Sequence, residues 1–202
     1  FGIPLDAVSD ETTEIMGEGF ISVRTPLAVL FVDIRGFTRW SDGRDPRETV
    51  EHLNRQMGLE ARLIRSRGGR INKLLGDGIL AYFPASGIDD CIETAVEIQR
   101  QISAEGMLPV GVGCAFGEVI LGDIGEEARL DFTLIGAPVN RAARMCDSAR
   151  VGQVCLSSAV CEGASSDLLQ ELKGRYPHRE ILVEVKASDP PLSALKLVVS
   201  GK

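Results

Sequence analysis

The stretch KLLGDGILAYF, residues 73–83, places two short apolar runs on either side of a Gly-Asp-Gly turn. Asp-Gly between apolar runs is a strong signal for a β-hairpin, so we predict two antiparallel strands over 70–83. Because side chains alternate between faces in an extended chain, Ile71, Lys73 and Leu75 are expected on one face. The ammonium of Lys73 then either reaches the rim of the sheet along its apolar stem or binds a ligand, and the spacing alone favours the rim.

The segments around the hairpin predict an α+β domain with a ferredoxin-like core and additional strands and helices at its C-terminal end. LAVLFVDI, residues 27–34, is a continuous apolar run rich in β-branched residues and predicts a buried strand. A helix is predicted to begin at Asp45-Pro46, where Asp suits the N-cap and Pro the first helical position, and to end at Gly68-Gly69. The resulting order β-α-β-β-α-β is that of the ferredoxin-like fold. The later elements are a helix over 88–104, strands over 108–125 and 129–136, a short helix over 137–146, and an antiparallel pair over 180–186 and 192–199.

The composition is that of one ordinary globular domain, with 202 residues, 44% hydrophobic and 25% charged. A net charge of -7 argues against binding of nucleic acid, which needs clustered lysine and arginine. Five cysteines without a CxxC pair indicate free thiols in a reducing compartment rather than disulfides or a zinc site. No signal peptide and no apolar run near the roughly 20 residues that span a bilayer are present, so we expect a cytoplasmic domain.

The first residues differ from the rest of the chain. Residues 1–25 have little periodicity and carry five acidic residues before the first basic one, Arg24. We therefore predict a lead-in or linker over 1–25 and the folded domain over 26–202. Because the chain begins with Phe1 rather than Met, we also expect a regulatory or sensor region, such as a membrane anchor, before it.

The predicted topology brings two carboxylates together. Strands 27–33 and 79–83 are expected to be antiparallel neighbours, which puts Asp33 at the end of one beside Asp77 at the start of the other. Two such carboxylates repel unless a cation lies between them, and Mg²⁺ takes a few carboxylates and completes its shell with phosphate oxygens and water. The alternative is two turn-forming aspartates that never meet, and the spacing leaves both possibilities open.

Four motifs resemble, in order, the signatures of the class III nucleotidyl cyclases, the adenylyl and guanylyl cyclases. They are VLFVDIRGFT, KLLGDGILAYF, FGEVILGDIG and FTLIGAPVNRAARM, and the resemblance covers about residues 27–198. It implies a ferredoxin-like core that works as a head-to-tail homodimer with active sites at the interface. The implied reaction is attack of a nucleotide's ribose 3′-hydroxyl on its own α-phosphate, with release of pyrophosphate.

The resemblance also implies a role for each matching residue. Asp33, Asp77 and the backbone carbonyl of Ile34 would bind two Mg²⁺ or Mn²⁺ ions. Asn140 and Arg144 would hold the ribose and the pentavalent phosphate, and their spacing of four puts them on one side of a helix. The implied substrate contacts are the phosphate cradle at Gly36, Phe37 and Thr38, the base-reading pair Lys73 and Thr133, and Lys186 at the terminal phosphates.

The base-reading pair favours ATP as the substrate. Adenine offers an acceptor at N1 and a donor at its 6-amino group, which the Lys73 ammonium and the Thr133 hydroxyl complement. Guanylyl members of the family typically have Glu in place of the lysine, so this pair is most similar to that of bacterial homodimeric adenylyl cyclases. We therefore predict conversion of ATP to cyclic AMP. The alternatives are a guanylyl cyclase, or a catalytically silent module that dimerises or binds nucleotide.

Overall fold

The protein is described from a computed structural model that covers residues 13–15, 21–126, 129–184 and 190–200. Within these ranges nine strands form one sheet. The strands are β1 (Thr13–Ile15), β2 (Ile21–Ile34), β3 (Arg70–Leu75), β4 (Gly78–Pro84), β5 (Val110–Glu126), β6 (Arg129–Ile135), β7 (Gln153–Ser157), β8 (His178–Val183) and β9 (Leu192–Val198). The α-helices are α1 (Phe37–Ser41), α2 (Pro46–Ser66), α3 (Ile88–Ala104), α4 (Ala137–Ser148), α5 (Ser158–Gly163) and α6 (Ser166–Arg175). No helix in the described ranges is long and apolar enough to cross a bilayer.

The strand order confirms the predicted fold. The sheet runs β3-β4-β2-β5-β7-β9-β8, while β1 pairs with β2 and β6 pairs with β5. The first four of these strands are antiparallel neighbours, and α2 and α3 provide the two long connections. This is the ferredoxin-like arrangement. The predicted late pair of strands is also present, as β8 and β9.

Strand β2 begins earlier than the sequence predicts. It starts at Ile21 rather than at residue 27, and Thr13–Ile15 pairs with its first residues. The sheet therefore extends into the segment 1–25 that the sequence assigns to a lead-in, while the boundary of the domain stays a prediction.

Helix α2 begins where its capping residues predict. The Asp45 carboxylate accepts a hydrogen bond from the backbone amide of Arg47 at 2.7 Å, and Pro46 is the first helical residue. An Asp at this position satisfies an amide that the helix cannot, and proline lacks the amide that would need a partner there. The helix ends at Ser66, just before the predicted Gly68-Gly69 stop.

The side chains of Ala28, Leu30 and Val32 on β2 define one side of the sheet, which we call the helical face. All three are buried in the main apolar cluster, together with Ile64 of α2 and Ile92 of α3. Helices α5 and α6 contribute to the same cluster. The five cysteines of the chain are free thiols, as predicted.

The side chains of Leu27, Val29 and Phe31 on β2 define the opposite side, which we call the α4 face. Helix α4 packs here through Ala142 in a smaller apolar cluster. The approach is close, because a Cβ at Gly113 of β5 would collide with the backbone of α4. The alternation of valine and glycine in VGVG, residues 110–113, thus buries valines on the helical face and makes room on the α4 face.

A β-bulge in β3 reverses the predicted alternation of its side chains. Ile71 pairs with Ala81 and Lys73 pairs with Leu80, so Asn72 is an extra residue in β3. Side chains of paired residues lie on the same side of a sheet, and Ile71 packs against the cluster of the helical face whereas Leu80 belongs to that of the α4 face. The prediction that Ile71 and Lys73 share a face is therefore wrong, because the bulge turns Lys73 to the α4 face.

Candidate functional site

Asp33 and Asp77 lie at the same edge of the sheet. Asp33 pairs in register with Gly78, and the backbone amide of Ile34 donates a hydrogen bond to the carbonyl of Asp77 at 3.4 Å. Burial, and then repulsion from Asp77, raises the pKa of Asp33. The two aspartates thus meet, as the strand order predicts, and they repel each other.

The carboxylates of Asp33 and Asp77 have the chemistry to hold a divalent cation. No group of three acidic, histidine or cysteine side chains that could hold a metal occurs in the described part of the chain. A hard cation at this edge would take the two carboxylates, and water or phosphate oxygens would fill its other positions. The side chain of Ile34 is apolar and buried, so the third predicted ligand is its backbone carbonyl.

Arg35 is a charged residue of this edge that our sequence analysis missed. Its Nη1 donates to Oδ2 of Asp33 at 2.6 Å. Its Nη2 donates to the carbonyl oxygen of Cys146, at the end of α4, and lies 3.3 Å from the Cys146 sulfur. The guanidinium lowers the pKa of Asp33 and so offsets part of the effect of burial and of Asp77. The available signal was the position of Arg35, two residues after Asp33 and directly after the predicted strand 27–34.

The predicted phosphate cradle lies directly after this edge. Gly36 is the N-cap of α1 and has a positive φ of 75°, and the cradle residues Phe37 and Thr38 form the first turn of that helix. The first amides of a helix have no partner within it and are available to an anion. Lys186, the other predicted phosphate contact, lies outside the described residues.

Helix α1 is supported by an aromatic cluster centred on Trp40. Its ring lies 6.0 Å from that of Phe37 and 4.5 Å from that of His52 in α2, centroid to centroid. The guanidinium of Arg44 lies 4.5 Å from the centre of the Trp40 ring, and its Nε donates to the Trp40 carbonyl. These contacts fix the short helix against α2.

Lys73 meets β6 on the α4 face. Its Nζ donates to Oδ2 of Asp131 at 2.6 Å, and the neighbouring Asn72 amide donates to the Phe132 carbonyl at 3.2 Å. Thr133 lies two residues beyond Asp131 on the same strand, so their side chains share a side. The structure thus brings the predicted base-reading strands together and adds Asp131, which our sequence analysis missed.

Asn140 and Arg144 lie one turn apart on α4, and both are exposed. The Arg144 guanidinium pairs with Asp147 at 3.3 Å. Within the described part of the chain, no hydrogen bond or ion pair joins either residue to Asp33 or Asp77.

Comparison with known families gives a match over most of the chain. The sequence model described as "Adenylate and Guanylate cyclase catalytic domain" matches residues 22–187. Two uncharacterized proteins of Mycobacterium tuberculosis, Rv1318c and Rv1320c, are 32% and 35% identical over 149 and 151 residues, or 70% of this chain in both cases. The alignments cover 28% and 26% of those proteins, so this chain spans about a quarter of the length of these curated relatives.

Solved structures of adenylyl and guanylyl cyclases share the fold. The guanylyl cyclase Cya2 is 30% identical with a TM-score of 0.72, over 89% of this chain and 94% of that one. The adenylyl cyclase CyaB from P. aeruginosa is 23% identical with a TM-score of 0.71, over 90% and 97% of the two chains. At the lower identity, the likeness to CyaB concerns the fold alone.

Proposed function

Because this chain belongs to the adenylate and guanylate cyclase catalytic domain family, we propose that it converts ATP to 3′,5′-cyclic AMP and pyrophosphate. The observation that carries the proposal is the convergence of Asp33 and Asp77 at one sheet edge. Two such carboxylates suit the metal-bound phosphates of a nucleotide, and Lys73 of a second copy would bind its base.

In this proposal, Asp33, Asp77 and the Ile34 carbonyl hold Mg²⁺ or Mn²⁺, and the amides at Gly36–Thr38 bind phosphate oxygens. When bound, the divalent ions supply neutralisation of phosphate charge and lower the pKa of the ribose 3′-hydroxyl. Arg144 stabilises the charge that develops on the α-phosphate as its new bond forms.

Recognition of the base in this proposal depends on Lys73. Its ammonium has three donors, of which Asp131 takes one, so donors remain for N1 of adenine. The Thr133 hydroxyl accepts from the 6-amino group. GTP is the second candidate, because Cya2, at 30% identity, is a guanylyl cyclase and because the Asp131 carboxylate offers an acceptor that suits N1–H of guanine.

We further propose a head-to-tail homodimer with shared sites. Asn140 and Arg144 are exposed on α4, and in their own chain the Arg144 guanidinium pairs with Asp147. The large apolar side chains Leu74, Leu75 and Ile135 are 61%, 45% and 46% exposed at the ends of β3 and β6. A second copy would cover these side chains and bring its own Lys73, Thr133, Asn140 and Arg144 to the aspartates.

The reaction is tested by incubating the purified protein with ATP or GTP, in Mg²⁺ or Mn²⁺, and measuring cyclic nucleotide and pyrophosphate. We expect cyclic AMP from ATP. Formation of cyclic GMP alone would establish the second candidate, and formation of neither product would identify a silent module.

The shared site is tested by mixing two inactive variants, Asp33→Ala and Arg144→Ala. In a mixed dimer one site carries both substitutions and the other carries neither. If the chains exchange freely at equal amounts, recovery should approach about a quarter of wild-type activity. Persistent inactivity after demonstrated exchange of subunits would contradict the shared site even for an active cyclase.

A further inference from the structure

We propose that Arg35 is a further ligand of the substrate's terminal phosphates and of the released pyrophosphate. On this view its guanidinium moves from Asp33 to phosphate when a divalent cation occupies that carboxylate. The inference rests on the proposed function, because it takes the substrate to be a nucleoside triphosphate held at the Asp33 edge.

The two oxygens of the Asp33 carboxylate have different surroundings. Oδ2 accepts from Arg35 at 2.6 Å, whereas Oδ1 lies 3.3 Å from the place that a Cβ would take at Gly78, next to Asp77. Without an ion, the guanidinium is therefore the cation that neutralises Asp33. A divalent ion bound to the same carboxylate repels the guanidinium, which then needs another anion nearby.

The guanidinium keeps a neutral anchor during such a movement. Nη2 is bound to the carbonyl oxygen of Cys146, which does not compete for a metal ion at Asp33. Arg35 is 22% exposed, so it is held on one side and open on the other. The planar fork of arginine suits paired phosphate oxygens, and hydrogen bonds between such charged groups are strong.

The open side of Arg35 lines a cavity of about 660 Å³ that also contains Arg150. Asp147 is the acidic side chain of this cavity, and it is paired with Arg144. Two guanidinium groups beside the predicted metal edge match the charge of a pyrophosphate group.

Gly111 of β5 provides the space for the guanidinium. It pairs in register with Asp33, and a Cβ at this position would come within 2.5 Å of three atoms of the Arg35 guanidinium. The φ angle of Gly111 is not positive, so its backbone accepts alanine without strain. A substitution at Gly111 can therefore displace Arg35 while leaving its charge in the protein.

The test is direct binding of inorganic pyrophosphate in Mg²⁺, measured by calorimetry on the whole protein. We expect Arg35→Gln to weaken binding about 10- to 100-fold, as for loss of a hydrogen bond between charged groups, and Arg35→Lys to recover part of that loss. Gly111→Ala should weaken binding as well, but it should add little to Arg35→Gln, because both changes remove the same contact. The matched control is Arg55→Gln, since Arg55 is an exposed arginine whose partner is Glu105.

Affinity of Arg35→Gln within twofold of wild type, or no binding of pyrophosphate by the wild type, would overturn this inference. If Arg35 only held α4 in place, Arg35→Gln would lower the melting temperature, and Arg35→Lys would not recover any binding of pyrophosphate. Formation of cyclic nucleotide is scored separately. An active wild type with unchanged pyrophosphate affinity in Arg35→Gln refutes Arg35 as a ligand and leaves the proposed function standing.

Discussion

The two faces of the sheet are built from the same strands but differ in what covers them. On the helical face, β2 contributes Ala28, Leu30 and Val32, which are all at most 1% exposed beneath the helices. On the α4 face the same strand changes from apolar to charged along its length, and it ends in the half-buried Asp33. From Ala28 to Val32 the helical face is covered, whereas the α4 face is only partly covered at Asp33, where the candidate site lies.

Because side chains alternate along β2, residues that stabilise the fold lie on one face and residues of the candidate site lie on the other. Ala28, Leu30 and Val32 on the helical face lose nearly all contact with water, so their burial stabilises the fold. On the α4 face Asp33 lies close enough to Asp77 for the two carboxylates to repel each other, which costs stability. Substitutions on the two faces should therefore have separable effects.

The largest effect is expected on the α4 face from Asp77→Asn. Turnover should fall by about 10³-fold, since metal ions supply several kcal/mol of charge stabilisation in the transition state. The melting temperature should stay the same or rise, because the repulsion on Asp33 is removed. Steady-state kinetics and thermal unfolding measure both quantities, with Asp90→Asn, an exposed acid on α3, as the control. Loss of less than tenfold in turnover would contradict a metal role for Asp77.

The next effect is expected on the helical face from Ile92→Ala. Ile92 is fully buried, so the change should destabilise the fold by about 2–5 kcal/mol, and Ile92→Val by about 0.5–1.5 kcal/mol. The free energy of unfolding is measured with denaturant. Turnover per folded molecule should not change. Leu182→Ala, at a side chain that is 68% exposed, is the control. An equal loss of stability in the control would show that the effect of Ile92→Ala does not come from its burial.

A smaller effect is expected from Glu60, a buried acid of α2. Burial raises its pKa to about 8, and Gln56 donates the hydrogen bond that one of its oxygens accepts. Since the unfolded chain has the ordinary value near 4.5, the folded state binds the extra proton between these values, and stability falls as pH rises from about 5 to 8. Glu60→Gln resembles the protonated form and should weaken this fall.

The measurement for Glu60 is the melting temperature as a function of pH. We expect Glu60→Gln to match the wild type near pH 4.5 and to melt a few degrees higher at pH 8, where each 1 kcal/mol corresponds to roughly 2–4 °C. Glu51→Gln, at an exposed position of the same helix, should follow the wild type throughout. Parallel curves for all three proteins would show that Glu60 does not bind the extra proton.

The smallest effect is expected from Asp131→Asn, which removes the 2.6 Å ion pair with Lys73. Because Asp131 is 64% exposed, stability should change by less than about 1 kcal/mol. If the loss of the ion pair weakens binding of the base by the same ~1 kcal/mol or less, KM for ATP should rise at most about fivefold, with kcat unchanged. Glu105→Gln, which removes the exposed partner of Arg55, is the control. A large fall in kcat would instead place Asp131 in the chemical step.

Much of the fold follows from local sequence signals, and its departures have physical causes. The cap at Asp45 and the Asp-Gly turn depend on adjacent residues, and the structure contains both. The early start of β2 is hidden by Pro26, which cannot donate to a ladder. It is tolerated because β4 begins to pair only at Leu27, so among the described strands Pro26 has a neighbour on one side alone, in β5.

The candidate site is less predictable, because its geometry depends on contacts between distant residues. The bulge at Asn72 adds one residue to a run whose apolar pattern fits either register, so the sequence did not show which face Lys73 takes. Arg35 meets Cys146 across 111 residues, and Lys73 meets Asp131 across 58. Neither contact can be predicted from the spacing of residues along the chain, whereas the proximity of Asp33 and Asp77 follows directly from the strand order.

The packing of Trp40 gives the molecule an optical probe of its own. The chain contains one tryptophan, and it lies in the helix that immediately follows Gly36, between the rings of Phe37 and His52. The wavelength and intensity of indole fluorescence depend on the surroundings of the ring, so the tryptophan fluorescence of this protein reports on the region beside the predicted phosphate cradle. Rearrangement of that helix during a binding event can therefore be followed in unlabelled protein, in real time, against a background free of other tryptophans.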